Sequence, residues 1–336
     1  MNIEKINKVV WFIPVRRLRD KIRNILIYRM NKIYFKSLFK YEKNKYRQKE
    51  IFKYNVNVIE IETHSFCNRR CWFCPNSIVD RHSENIELDE ELYMKIINEL
   101  SEINYSNIIT FHRFNEPLSY KKLILKRIKQ AREKLPNAKL SIFTNGDYLT
   151  TEYLEELLEA GISYIIISYY LKENENFNNL EELKINMEKN IYKLNLEFKN
   201  FTIKNPEFRH FAIKDDNYIY YELGYKNLNI IYKATDFSKL GSSRGGIIKK
   251  LENIEKCEFS CIMPLNNVYI DYNGMVMPCC DLRSDIKDHQ NMIIGNISKN
   301  TIFEIFTSEK TSQLRNYLFK KSFKLPPCNK CGIYQK

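Results

Sequence analysis

Cys67-Asn68-Arg69-Arg70-Cys71-Trp72-Phe73-Cys74 sets three cysteines within eight residues, directly after a run, Val56–Thr63, that reads as a β-strand. Three thiolates that close can hold three irons of one [4Fe-4S] cube, because cysteine thiolate is the usual ligand of such clusters. No fourth cysteine lies nearby. A fourth iron would therefore keep an open coordination position, the feature that separates a catalytic metal site from a closed structural one. Zinc is the competing reading, but it wants four tetrahedral ligands and usually shows CxxC pairs. Buried structural thiols are rarely spaced this way. A disulfide role is not expected without a secretory signal.

The spacing CxxxCxxC, with Phe73 just before the last cysteine, resembles the radical S-adenosylmethionine (SAM) superfamily. The resemblance implies that the open iron binds the amine and carboxylate of SAM and that one electron from the cluster cleaves it. The 5'-deoxyadenosyl radical so made abstracts hydrogen from a substrate. It also implies that an external electron donor such as flavodoxin or ferredoxin serves the cluster. Phe114-Asn115-Glu116-Pro117 resembles the Gly-Gly-Glu-Pro motif whose backbone and Glu receive the SAM amine, which nominates Asn115 and Glu116. Phe114 and Asn115 replace its two glycines, which puts the close backbone approach of glycine in question. Thr144-Asn145-Gly146 resembles a position near the SAM ribose, and Ser168 a polar SAM contact at a strand end. The backbone of Phe73 would lie near adenine. Read without the resemblance, Glu-Pro and Asn-Gly are ordinary turns and Ser168 is a commonplace strand end.

A regular strand–helix alternation surrounds these motifs, which implies a parallel sheet. The expected order is strand Val56–Thr63, helix Leu88–Ile103, strand Asn107–Phe114, helix Lys121–Lys134, strand Leu140–Thr144, helix Thr151–Ala160, strand Tyr164–Tyr169 and helix Leu180–Leu194. A further strand is expected within Leu196–Lys204, with Arg209–Ile213 and Asn229–Tyr232 as additional candidates. The fold class is α/β, and the alternation fits a complete or partial TIM-like barrel whose chemistry belongs on loops at the C-terminal strand ends; the resemblance implies the partial (β/α)6 form, over residues 55–235.

The C-terminal segment, residues 236–336, carries a second set of cysteines. Cys261, Gly274, Cys279 and the pair Cys328-Asn329-Lys330-Cys331 resemble the SPASM/twitch extensions of the same superfamily, which hold auxiliary [4Fe-4S] clusters. Tyr269–Val276 reads as the module's hairpin, with Asn273-Gly274 as its turn. The resemblance implies one auxiliary cluster on Cys261, Cys279, Cys328 and Cys331, as in the shorter twitch form. Cys257 and Cys280 are left over, either able to replace a named ligand, and zinc on the same thiolates is the alternative occupant. Arg244-Gly245-Gly246 is either a bridge near the active site or a flexible turn.

Charge is concentrated at the other end. The chain carries a net +13, but residues 1–53 hold sixteen Lys/Arg against four Asp/Glu and the rest is nearly balanced. No basic face is left in the body for nucleic acid, so no nucleic-acid partner is expected. Apolar residues recur at helical spacing from Leu18 to Phe39 behind Trp11 and Phe12. Residues 1–54 thus form a basic amphipathic arm, either peripheral on an anionic membrane or packed on the body or a second subunit. No run approaches the length of a transmembrane helix, and nine cysteines without an export signal place the chain in the cytoplasm, with the arm as a route to the inner membrane face.

An all-cysteine auxiliary cluster suits a redox change in which a substrate radical gives up a second electron. Twitch-type relatives that oxidise alcohols of aminoglycosides, and a likeness of Trp11–Arg19 to a segment preceding bacterial surface-glycan enzymes, imply a small-molecule or glycan substrate. Dehydrogenation or epimerisation of a sugar is the expected reaction. The alternatives are a SPASM-type maturase of a ribosomally made peptide and an activase that places a glycyl radical on a partner protein.

Overall fold

A computed structural model describes residues 3–171, 180–198, 218–252 and 258–331. The candidate strand Arg209–Ile213 and Cys257 lie outside the described residues. Three helices open the chain, α1 (Ile3–Trp11), α2 (Arg16–Ser37) and α3 (Lys45–Asn55). The alternation then runs β1 (Val58–Ile61), α4 (Glu90–Glu102), β2 (Ile108–Thr110), α5 (Lys121–Lys134), β3 (Lys139–Thr144), α6 (Thr151–Ala160), β4 (Tyr164–Tyr169) and α7 (Leu180–Lys193). Local chemistry sets these boundaries. Asp89 and Thr150 cap α4 and α6 by accepting from the backbone N–H of Leu92 and Tyr153, and Gly161 ends α6 at φ 97°, where a side chain would be strained.

β1 to β4 pair in parallel, each beside the next. The fifth repeat departs from expectation. Of Leu196–Lys204, residues 199–204 lie outside the described residues; Glu197–Phe198 form β5, which runs antiparallel to β6 (Tyr218–Tyr225). β6 turns at Lys226 (φ 54°) into β7 (Leu228–Thr235), which contains the expected Asn229–Tyr232 and lies parallel beside β4. That hairpin turn, Lys226-Asn227, has no glycine to announce it.

The remaining elements are α8 (Phe237–Leu240), β8 (Glu258–Phe259), α9 (Met263–Asn266), β9 (Asn267–Ile270), β10 (Met275–Met277), β11 (Gly295–Asn296), α10 (Ile302–Phe306), α11 (Glu309–Phe319) and β12 (Ser322–Phe323). β9 and β10 form the expected hairpin, with Gly274 at φ 76°. β9 also pairs in parallel with β1, on the edge away from β2. The C-terminal segment thus supplies a sixth parallel strand, and the sheet reads β11-β10-β9-β1-β2-β3-β4-β7-β6-β5. It is the α/β radical-SAM-like sheet expected, made mixed by antiparallel strands at both ends.

The N-terminal helices divide in their packing. Phe52 of α3 meets Phe303 and Phe306 of α10 at 5.1 and 5.2 Å, and Phe39, just past α2, meets Phe319 of α11 at 5.2 Å. Arg315 of α11 donates to the Leu38 carbonyl at 3.2 Å. At the other end, Trp11 and Phe12 are 70% and 78% exposed, and Val9, Val15 and Leu18 are exposed as well. No helix among the described residues is long and apolar enough to cross a membrane.

Candidate active site

Alternation along the strands decides what faces the interior of the curved sheet. Tyr232 of β7 turns toward α7, whose Asn190 Nδ2 donates to its hydroxyl at 3.0 Å, so Lys233 turns the other way. On that inner face the register sets Glu60 beside Thr110 and Tyr269, Thr110 beside Ser141, Phe143 beside Ile166, and Ser168 beside Lys233. The C-terminal strand ends carry the cysteine loop after β1, Phe114–Pro117 after β2 and Asn145–Asp147 after β3.

The cysteine loop is braced by side chains. Arg69 grips Asp147 through two nitrogens, Asn68 donates to the same carboxylate at 2.8 Å, and Asn145 Nδ2 donates to Asn68 Oδ1 at 2.8 Å. Asn76 Nδ2 donates to the Phe114 carbonyl at 2.7 Å. Cys67, Cys71 and Cys74 are half-buried free thiols. Burial, with added repulsion from neighbouring thiolates, pushes Cys67 and Cys71 up to about 12. Such a donor set ionises readily only when a cation arrives to neutralise it, as iron does.

Glu116 joins the loops after β2 and β3. Its Oε1 accepts from Leu118 N at 3.1 Å and Thr144 Oγ1 at 2.6 Å, and its Oε2 from Asn145 N at 2.8 Å. Burial lifts its pKa to about 7 in spite of these donors. Asn115 Oδ1 accepts from Arg113 N at 3.0 Å, whereas its Nδ2 is buried without a partner. A buried orphan donor beside Glu116 is what a ligand carboxylate would satisfy, so these residues fit SAM. Phe73 stacks on Phe237 at 3.6 Å and meets Tyr170 at 5.2 Å; Tyr170 in turn bonds to Ser168. Glu116, Thr144 and Asn145 therefore form one bonded unit beside the unpartnered Asn115 amide, and Phe73 and Ser168 both reach Tyr170.

Phe114, where the resembled motif has glycine, turns its ring away from this unit. The ring is surrounded by the guanidinium groups of Arg113, Arg283 and Arg244 at 5.5, 5.4 and 6.0 Å. Its N–H donates to Glu62 Oε1 at 3.0 Å, so the glycine replacement does not intrude on the Glu116 loop.

Those arginines open a network that motif reading missed. Arg113 pairs with Asp271 at 2.9 Å, both side chains fully buried. The N–H does not point along that pair, so charge holds it more than a directed hydrogen bond. Arg113 Nη2 also donates to the Leu282 carbonyl at 2.6 Å. Arg283 Nη1 donates to Asn76 Oδ1 at 2.8 Å, and Arg244 pairs with Asp281 at 2.6 Å. Arg244-Gly245-Gly246 is thus a bridge. Gly245 has φ 65°, and a Cβ there would meet His289 Nε2 at 2.6 Å. Only tertiary proximity reveals this network; the one signal in the sequence was the density of Arg and Asp around Cys279 and Cys280.

Cys261, Cys279, Cys328 and Cys331 line one pocket, together with Met263, Pro278, Asp281, Leu282, Met292 and Leu318. Cys280 is outside that lining and sits within electrostatic reach of Glu60 and Asp281. Among the described residues no three His, Cys, Asp or Glu side chains converge as a mononuclear ion requires. Four thiols around one largely apolar pocket fit a four-iron cluster.

The radical SAM superfamily profile matches residues 61–170, and that of the SPASM iron–sulfur cluster-binding domain matches residues 261–332. The chain is 29% identical, over 78% of its length and 86% of the relative's, to an S-adenosyl-L-methionine-dependent 2-deoxy-scyllo-inosamine dehydrogenase of Niallia circulans. It is 23% identical, over 81% of its length and 86% of the relative's, to a tungsten-containing aldehyde ferredoxin oxidoreductase cofactor-modifying protein of Pyrococcus furiosus. Among solved structures it resembles BtrN in complex with AdoMet and 2-DOIA, with a TM-score of 0.54 and 27% identity over 79% of this chain and 88% of that one.

Proposed function

We propose that this chain, which belongs to the radical SAM superfamily and carries a C-terminal SPASM domain, dehydrogenates or epimerises a secondary alcohol of a sugar or sugar-like polyol, in surface-glycan or related biosynthesis. The observation that carries this is its likeness, across most of both chains, to a dehydrogenase named for an aminocyclitol. An inner sheet face lined with Glu60, Thr110, Ser168 and Lys233 supports it, since polyols are recognised by such polar groups.

In this reading Cys67, Cys71 and Cys74 hold the radical-generating cluster, and Cys261, Cys279, Cys328 and Cys331 the auxiliary one. When bound, the first cluster and SAM supply a radical that takes a hydrogen atom from substrate. The protein's part is placement. Glu116 and Asn115 receive the amine and carboxylate of SAM, Thr144 and Asn145 hold its ribose side, and Ser168 and the Phe73 backbone flank its adenosyl portion. The Asn68–Arg69–Asp147 brace keeps the cysteine loop against those residues. The parts 1–54, 55–235 and 236–336 serve as arm, catalytic barrel and auxiliary module. A cytoplasmic chain drawing electrons from flavodoxin or ferredoxin completes the reading, with residues 1–54 resting on the inner membrane face through the exposed Trp11 and Phe12.

The test is 5'-deoxyadenosine formation by anaerobically reconstituted protein with SAM and reductant, with Cys71→Ala as control. Sugar-nucleotide/glycolipid and peptide fractions of host extract are added separately. Stimulation by the glycan fraction that the control lacks is expected. Stimulation by the peptide fraction alone overturns the reading in favour of a maturase.

A further inference from the structure

Lys233 belongs to neither cysteine site nor the unit around Glu116, yet it occupies the inner face at the level of both. It stands in register with Ser168 of β4 on one side and Tyr220 of β6 on the other. Its Nζ lies 5.5 Å from the centroid of the Phe143 ring on β3. That ring stacks on the His112 imidazole at 4.2 Å, and His112 Nδ1 is bonded to Thr110 Oγ1 at 2.6 Å. Lys233, Phe143 and His112 are each only partly buried. They stand in a row on the inner face, with Lys233 at its cationic end and Ser168 beside it.

We propose that Lys233 binds the hydroxyl of the alcohol substrate beside Ser168 and takes its proton as the alcohol becomes a carbonyl. This rests on the polyol dehydrogenase reading. The balance closes as follows. The hydroxyl loses its proton to the neutral Lys233 amine; the radical that SAM would supply when bound would take the carbon's hydrogen atom, and the cluster that Cys261, Cys279, Cys328 and Cys331 would hold would be the one-electron oxidant. Two electrons and two protons leave, and the C–O single bond becomes C=O.

The surroundings suit that role. Burial pushes the Lys233 ammonium down to about 8, so a substantial share is neutral in mildly alkaline solution. Its titratable and charged neighbours among the described residues are poorer candidates. His112 is pushed down to about 3, by burial and then by the positive charges of Lys233 and Arg113, which leaves it a weak base. Tyr220 is pushed up by burial, and Arg113 remains a cation paired with Asp271. The competitor is Glu60 on the same face, lifted to about 7 by burial against the opposing pull of Arg113 and Arg244.

The test uses reconstituted holoenzymes of wild type, Lys233→Met, Lys233→Arg and Glu60→Gln. A readout free of turnover comes first: the pH dependence of Lys233 acylation by acetic anhydride, followed by peptide mass spectrometry. A midpoint well below that of exposed lysines is expected, and an ordinary lysine midpoint overturns the proposal whatever the substrate proves to be. With the stimulating polyol fraction, the ratio of carbonyl product to 5'-deoxyadenosine should fall about 100-fold in Lys233→Met. The ascending limb of the wild-type rate profile, where rate is lost as pH falls through about 8, should vanish with it. Lys233→Arg should not rescue, because a guanidinium does not release its proton. Rescue by arginine, or a limb that moves with Glu60→Gln and not with Lys233, assigns the proton elsewhere. Stimulation by peptide alone, with the lowered acylation midpoint intact, sinks the substrate reading and leaves Lys233 as an inward-facing base for another O–H or N–H.

Discussion

The two cysteine sites use the same ligand atom in opposite surroundings. Cys67, Cys71 and Cys74 sit on a loop held by Asn68, Arg69, Asn76 and Asp147, beside an amide donor left unsatisfied on Asn115. Cys261, Cys279, Cys328 and Cys331 line a pocket walled mainly by Met, Leu and Pro. The proposed SAM site keeps an unsatisfied polar group within reach, whereas the one carboxylate lining the second pocket, Asp281, is paired with Arg244. The wall, more than the thiols, divides the labour.

The largest effects come from deleting one site at a time. Cys71→Ala should abolish 5'-deoxyadenosine formation and reduce iron from about eight to about four per chain, while Cys328→Ala should remove the auxiliary share and leave SAM cleavage measurable. Iron analysis that shows both clusters lost together in either variant would mean the sites are not separately built. An intermediate effect is expected where they are joined. Arg113→Met leaves Asp271 buried without its ion pair and should lower stability by about 3–5 kcal/mol in anaerobic denaturant titration. A loss below about 1 kcal/mol would show that water reaches Asp271 and that the bridge is loose.

The smallest effect is a slope in the acid limb of stability. His112 has a folded pKa near 3, far below the unfolded value, so its neutral form contributes stability above about 6.5 that is lost as pH falls toward about 3. His112→Gln should flatten that part of the acid-unfolding curve. Curves that superimpose would place His112 in water, and with it the row beside Lys233.

Legibility followed the range of the interactions involved. The helices Lys121–Lys134 and Thr151–Ala160 and the strand Tyr164–Tyr169 were readable to the residue, because caps, an αL glycine and apolar periodicity act within a few positions. The first cysteine set was readable because its spacing is local within one loop; the second, spread from Cys261 to Cys331, was nominated only by a family resemblance. β6 was not, since a hairpin turning on Lys226-Asn227 lacks the usual signal. Nor was the parallel pairing of β9 with β1, which joins residues some two hundred positions apart. The arginine bridge was invisible for the same reason. Arg113 and Asp271 are ordinary residues until the fold buries them together.

That pairing of β9 with β1 also bears on how the chain can be cut. A fragment ending near residue 250 would keep the first cysteine loop and every residue proposed to touch SAM. It would also strip β1 of its outer neighbour and expose a row of backbone amides and carbonyls on the strand that feeds the cysteine loop. Bare strand edges recruit other chains. The C-terminal module is therefore a splint for the sheet as well as an iron–sulfur cluster-binding domain. Soluble fragments of this protein should keep β9 beside β1 and keep Leu38 and Phe39 packed on α11, and should never be cut behind β7.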